Sequence, residues 1–105
     1  MIYRMRIYRA VEDNIEVFNQ FFNERLLPVQ LKHGARIVGR WQTTDSRIVA
    51  VWEYDDQASY ESIQAQVRVD SDSIAAQDYR KSLPQMAYEQ EEIFMTDTIL
   101  GNPPT

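Results

Sequence analysis

The stretch Arg47-Ile48-Val49-Ala50-Val51-Trp52-Glu53-Tyr54-Asp55-Asp56 decides how this chain is read. Five of its first six residues are apolar, and valine, isoleucine, tryptophan and tyrosine suit a pleated, half-buried surface. The two aspartates that follow end the strand and offer a cap for a helix. Ile48, Ala50, Trp52 and Tyr54 share one face, and Val49, Val51 and Glu53 share the other. A strand this apolar on both sides is central in its sheet and needs two covers. Helices are expected on one face and a second copy of the chain on the other.

Working outward, 105 residues make one domain, expected over residues 1–100, with residues 101–105 as a loose tail. No apolar run approaches the roughly 20 residues of a membrane-spanning helix. The absence of cysteine excludes disulfides, thiolate metal sites and cysteine nucleophiles together. Met1-Ile2-Tyr3-Arg4-Met5-Arg6 passes directly into strand-like alternation, so a cytoplasmic protein is expected. The net charge of −5 argues against nucleic acid as a partner. Residues 1–52 carry 8 basic and 5 acidic groups, and residues 53–105 carry 3 and 11. Halves of +3 and −8 suggest that the two interleave in one sheet and pair their charges.

Tyr3, Met5 and Ile7 alternate with Arg4, Arg6 and Tyr8, the period of a first strand. Asp13-Asn14-Ile15-Glu16 has the spacing of a capping box. Ile15, Phe18, Phe22, Leu26 and Val29 then recur at helical steps. Because that period carries across Pro28, the proline predicts a kink rather than a stop. Gly34 is the natural C-terminal cap, with Lys32 and His33 near the negative end of the helix dipole. A second strand over residues 36–43 is expected to place Ile37, Gly39 and Trp41 on one face and Val38, Arg40 and Gln42 on the other. Thr44-Asp45-Ser46 turns it into the opening stretch. A second helix starts near Asp56 and presents Tyr60, Ile63 and Val67. Asp70-Ser71-Asp72-Ser73 breaks it and caps a further short helix that ends near Leu83 and Pro84. From about Met86 to Leu100, Glu89, Glu91, Ile93 and Met95 alternate with Tyr88, Gln90, Glu92 and Phe94.

The order βαββαβ, with the second crossover split into two helices, is the α+β ferredoxin-like pattern. Right-handed crossovers order the antiparallel sheet 4-1-3-2 with both helical layers on one face. Arg4 and Arg6 then have Glu89, Glu91 and Glu53 as expected cross-strand partners. The helix-free face carries Val38, Val49, Val51, Ile93 and Met95, too apolar to leave wet, and a homodimer through that face would cover it.

Several short stretches carry a family resemblance over nearly the whole chain. Met5-Arg6-Ile7-Tyr8 resembles the Leu-Arg-Thr-Tyr opening of NIPSNAP-family domains. Leu26-Leu27-Pro28, Lys32-His33-Gly34 and Val38-Gly39-Arg40-Trp41 resemble that family's helix end and second strand. Val51-Trp52-Glu53-Tyr54-Asp55 with Ala58 resembles its Trp-x-Tyr-Asp junction from strand to helix. The resemblance implies a dimeric α/β barrel, in a superfamily that also holds cofactor-free antibiotic-biosynthesis monooxygenases and haem-degrading enzymes. It implies no established reaction.

The chemistry-bearing residues leave several readings open. His33, the sole histidine, is a candidate for acid–base work or axial haem ligation; beside Gly34, it also suits a plain helix-end role. Arg4, Arg6, Tyr8, Arg40, Glu53, Glu89 and Glu91 are expected on one sheet face. There they either bind an anionic or carbonyl-bearing ligand or form an ion-pair network at the dimer interface. Trp41, Trp52 and Tyr54 are expected to point toward the helices, as core or as an aromatic pocket. The leading expectation is a NIPSNAP-like homodimer with a small-molecule pocket between sheet and helices. Its binding residues would be Arg6, Tyr8, His33, Arg40, Trp41, Trp52 and Tyr54. One alternative is a cofactor-independent monooxygenase, or a haem-degrading type, using His33, Tyr54 or Arg6 on a small aromatic substrate. The other is a purely structural or partner-binding dimer. No cofactor or metal is expected. Asp70-Ser71-Asp72 fails as a calcium loop because Ile74, Ala75 and Lys81 stand where a ligand, a glycine and a glutamate belong. No glycine loop cradles a phosphate, and no Gly-x-Ser-x-Gly elbow supports a serine triad.

Overall fold

The computed structural model describes residues 1–99; the expected tail, residues 101–105, lies outside them. The alternating first segment forms β1 (Ile2–Ala10), followed by a single 3-10 turn at Glu12–Asn14. One continuous helical run comes next: α1 (Ile15–Phe21), a π turn (Phe22–Leu26) and α2 (Leu27–Lys32). After it come β2 (Arg36–Gln42), β3 (Arg47–Tyr54), α3 (Gln57–Val69), α4 (Ser71–Arg80) and β4 (Ala87–Met95). The antiparallel sheet runs β2-β3-β1-β4, the expected ferredoxin-like order read from its other edge. Helix residues pack on Ile48, Trp52 and Tyr54, so all the helices cover one face of β3.

Pro28 neither stops the helix nor sits in an unbroken α ladder. A proline ring crowds the carbonyl four residues back. The chain makes room by widening into the π turn, whose last bond runs from Leu27 N–H to Phe22 O. Asn23 Nδ2 adds a hydrogen bond to Asn19 O at 2.8 Å. The helix ends in a Schellman motif, with Gly34 N–H on Leu31 O and Ala35 N–H on Gln30 O. Gly34 stands at φ +99°, in the left-handed region.

Three expectations about side chains are corrected. The capping box does not form: the first helix has no side-chain cap, and Asn14 Nδ2 instead donates to Gln85 O at 2.8 Å. That bond ties the helix start to the segment entering β4, a tertiary partner no local spacing reveals. Second, Arg4, Arg6 and Tyr8 do not share a face with Glu53, Glu89 and Glu91. The register pairs them with Trp52, Ala50 and Ile48, and cross-strand partners share a face, so they point under the helices. On β4 their partners are Phe94, Glu92 and Gln90, one step along from the carboxylates expected. Third, Val38 is a bulge: Ile37 pairs with Trp52 and Gly39 with Val51. One extra residue reverses the faces beyond it. Arg40 therefore turns inward, and Trp41 lies outward, 52% exposed. The Trp41 indole folds over Gly39, where any Cβ would collide with the ring.

The halves of the chain do pair their charges. Arg4 meets Glu92, Arg9 meets Glu89, and Arg36 reaches both Glu53 and Asp55. Lys32 and His33, at the end of α2, grip Asp70 at the α3–α4 junction. Asp70 also accepts the Asp72 N–H at 2.8 Å as the cap of α4. Its carboxyl is held well below the usual carboxylate range, first by the Lys32 hydrogen bond, then by His33 and the Asp72 amide.

Two outcomes follow from these helix ends. Gly34→Ala meets no collision, since the nearest atom to an added Cβ is Ile63 Cδ1 at 3.8 Å. The left-handed backbone alone is predicted to cost about 1–2 kcal/mol in urea unfolding. For Asp70, a depressed folded pKa contributes stability above the unfolded value and loses it as pH falls. Asp70→Asn is therefore predicted to lower Tm most above about pH 4, with the gap to wild type narrowing at lower pH. Melts followed by circular dichroism across pH check this.

Candidate binding cleft

The core divides. One cluster gathers Phe18, Phe21, Ile48, Ala76 and Met86 at one end of the sheet; another gathers Phe22, Ala35, Trp52 and Tyr54 at the other. Between them lies a cleft of about 540 Å³. Its floor is β1 and β3, where Arg4, Arg6 and Tyr8 stand beside Ala50. Phe18, Phe22, Leu26 and Trp52 wall it. Phe22 and Leu26 come from the π turn, so the widening that accommodates Pro28 also shapes this wall. Arg80 and Gln77 of α4 and Tyr88 and Gln90 of β4 complete the lining. A second groove of about 480 Å³ runs between α3 and α4, past exposed Arg68, Ile74 and Asp78. It carries no comparable buried charge.

The cleft floor is electrostatically unusual for an acidic protein. Arg4 is buried, its side chain 9% exposed. It donates to Glu92 at 3.0 Å and lies over the Tyr60 ring at 5.2 Å. Burial opposes its charge, but the Glu92 hydrogen bond and nearby Tyr60 outweigh that, and its pKa is raised. Arg6 donates to the neutral Gln90 Oε1 at 2.6 Å and sits 3.7 Å from the same Glu92 carboxylate. Its guanidinium covers the Tyr8 ring at 5.3 Å. Behind the aromatic wall, Arg40 lies over Phe22 at 4.4 Å and Phe18 at 4.9 Å. Its acceptor is another neutral amide, Asn19 Oδ1 at 2.6 Å. Desolvation by burial lowers the Arg40 pKa, and no carboxylate among the described residues comes within ion-pair distance. Arg4 Nε, Arg6 Nε and Arg40 Nη2 are buried without hydrogen-bond partners.

The residues singled out in the sequence scatter around this geometry. Arg6, Tyr8 and Trp52 line the cleft, and Arg40 backs its wall. Tyr54 is in the adjoining cluster, 1% exposed, its hydroxyl accepting from Gln64 Nε2 at 3.4 Å. Burial raises its pKa. Trp41 lies on the opposite sheet face. His33 is remote from the cleft, with Nε2 2.7 Å from Asp70 and Nδ1 3.3 Å from Gln66. Arg80, Gln77, Gln30 and Glu92 were not anticipated. The alternation that includes Gln90 and Glu92 was visible, but only the register could say which set faces inward. No group of three or more histidines, aspartates or glutamates among the described residues is placed to hold a metal ion. Nor is any described helix long and apolar enough to cross a membrane.

Solved structures share this architecture. An uncharacterized NIPSNAP domain protein from Burkholderia xenovorans superposes with a TM-score of 0.84 at 20% identity, covering 98% of this chain and 100% of its own. A NIPSNAP family protein of unknown function from Agrobacterium tumefaciens gives 0.82 at 17% identity, covering 100% and 94%. A putative antibiotic biosynthesis monooxygenase from Nitrosomonas europaea gives 0.67 at 13% identity, covering 94% and 100%. No curated protein sequence matches the chain. The NIPSNAP family profile matches residues 3–98, nearly the whole described chain, and the chain belongs to that family.

Proposed function

We propose that this NIPSNAP domain works as a homodimer that holds a small molecule in the cleft between its sheet and its helices. The observation carrying this reading is the space of about 540 Å³ between the two core clusters. The cleft is open at the α4–β4 side, where exposed Gln77, Arg80 and Gln90 line it, and closed beneath by buried Arg4 and Trp52, so a small molecule can enter and be covered on several sides. Its size and its mixture of aromatic walls with a few convergent polar groups fit a ligand site. A purely structural dimer gives no reason to keep it open.

The likeness in fold to a putative monooxygenase raises the enzyme alternative. Cofactor-free oxidation of a phenol needs a group that holds or removes its proton. Of the three residues considered for that role, only Arg6 lines the cleft, and a guanidinium is a donor rather than a base. Glu89, the one carboxylate on the lining, is held by Arg9 at 3.2 Å, so the geometry favours binding over proton abstraction.

The sheet face away from the helices supports the dimer. The register gives it Tyr3, Met5 and Ile7 of β1, Val49 and Val51 of β3, and Ile93 and Met95 of β4. With the arginines turned under the helices, this face is more apolar than the sequence suggested. Ile93 is 41% exposed and Trp41 52%. A patch of this kind is suited to a self-complementary partner.

Sedimentation velocity at micromolar concentration is predicted to give twice the 12.4 kDa chain mass, falling to one chain for Ile93→Glu; a wild-type monomer would remove the dimer. For the cleft, Ala50→Leu puts a larger side chain on the buried floor between Arg6 and Arg40, and is predicted to narrow the cleft and lower stability by about 1–3 kcal/mol through overpacking. A fragment screen by thermal shift should find compounds that stabilise wild type and not Ala50→Leu. A screen in which no compound shifts wild type, or in which the shifts survive in the filled variant, would refute the pocket.

A further inference from the structure

We propose that the cleft binds a monoanion, a carboxylate carried on a flat aromatic or conjugated body, with the anion received by Arg6 and Arg4. This rests on the reading of the cleft as a ligand site and names the chemistry of its occupant.

The charge balance leads to it. Arg4, Arg6 and Arg80 line the cleft, and Arg40 stands behind its wall. Against them stand Glu92, shared between Arg4 and Arg6, and Glu89, held by Arg9 at 3.2 Å. A local excess of cations inside a protein of net charge −5 does not follow from composition. Arg80 is exposed and Arg4 is paired with Glu92, so the partly buried Arg6, with Glu92 no closer than 3.7 Å, is the cation that a counter-anion would suit.

The hydrogen bonds agree. Arg6 and Arg40 make their closest contacts, both 2.6 Å, to the neutral amide oxygens of Gln90 and Asn19. A carboxylate adds to the hydrogen bond an opposite charge and a second oxygen for the guanidinium fork, which an amide oxygen does not offer. Gln90 lines the cleft, so it is an acceptor that an incoming carboxylate displaces from Arg6. Arg4 Nε, Arg6 Nε and Arg40 Nη2 are buried without hydrogen bonds, Arg6 Nε having Glu92 only at 3.7 Å, which marks the same shortage of acceptors.

Glu92 sets the charge of the ligand. It already neutralises one of the two floor arginines and repels a second negative charge, so the site suits a carboxylate better than a dianionic phosphate. The planar guanidinium fork matches a carboxylate. Phe18, Phe22 and Trp52 offer the rest of the molecule an aromatic wall rather than water.

The test compares three probes of one shape, cinnamate, cinnamamide and cinnamylamine, by NMR titration against wild type, Arg6→Gln, Arg80→Gln and Glu92→Gln. Cinnamate is expected to bind wild type about tenfold or more tighter than cinnamamide, with cinnamylamine weakest. Arg6→Gln should erase that preference. Arg80→Gln, at an exposed position that leaves the fold intact, should weaken cinnamate about two- to fivefold. Glu92→Gln should tighten cinnamate by removing its competitor, a gain that a merely structural role for these residues does not produce. Equal binding of acid and amide, an unchanged preference in Arg6→Gln, or weaker cinnamate binding to Glu92→Gln overturns the anion assignment and leaves the cleft reading standing. If none of the three probes perturbs cleft resonances in wild type, the aromatic-carboxylate assignment falls, and the fragment screen alone decides the cleft.

Discussion

The pairing of β1 with β3 is the constraint on which the rest depends. Once Arg4 lies opposite Trp52 and Arg6 opposite Ala50, every side chain of β1 is assigned to a face, and β4 inherits the assignment. Two arginines and a tyrosine go beneath the helices, where an apolar set would be the simpler choice. They are tolerated because their charged ends meet Glu92, Gln90 and the faces of Tyr60 and Tyr8. The opposite face becomes correspondingly apolar. One register thus produces both a polar cleft floor and a sheet surface suited to a partner.

Two irregularities adapt the regular frame to that arrangement. The bulge at Val38 brings Arg40 inward against Phe18 and Phe22 and sends Trp41 out over Gly39. The π turn before Pro28 keeps the first helix continuous while placing Phe22 and Leu26 along the cleft. Each is a single-residue adjustment with consequences for several side chains, because faces alternate along a strand and rotate along a helix. His33 shows the opposite case. The residue with the widest chemical repertoire in the chain is engaged with Asp70 and Gln66, joining the end of α2 to the α3–α4 junction.

Much of this was legible in the residues themselves. Period-two and helical spacings located the strands and helices, Gly34 and Asp56 marked helix ends, and the order of elements implied the sheet order. Asp56 caps α3 by accepting the Ser59 N–H at 2.7 Å, as its position suggested. The capping box at Asp13–Glu16 had equally good spacing and does not form, because Asn14 finds a partner on Gln85, distant in sequence. Trp52 and Tyr54 face the helices as expected. Trp41 does not, because a bulge leaves no mark in hydrophobic periodicity when the residue inserted is itself a valine.

The sequence alone therefore determined the ferredoxin-like frame, the interleaving of a basic first half with an acidic second half, and the family resemblance. These depend on local patterns and on chain connectivity. Tertiary structure decided the rest: which alternate set of β1 faces the helices, which carboxylate the arginines meet, and that the core divides around a cleft. A strand with Tyr3, Met5 and Ile7 on one side and Arg4, Arg6 and Tyr8 on the other reads equally well either way up. The apolar set can seek a core or a partner, and long basic side chains can lie in water or over aromatic rings. Register against β3 breaks that symmetry, and register is a property of two strands.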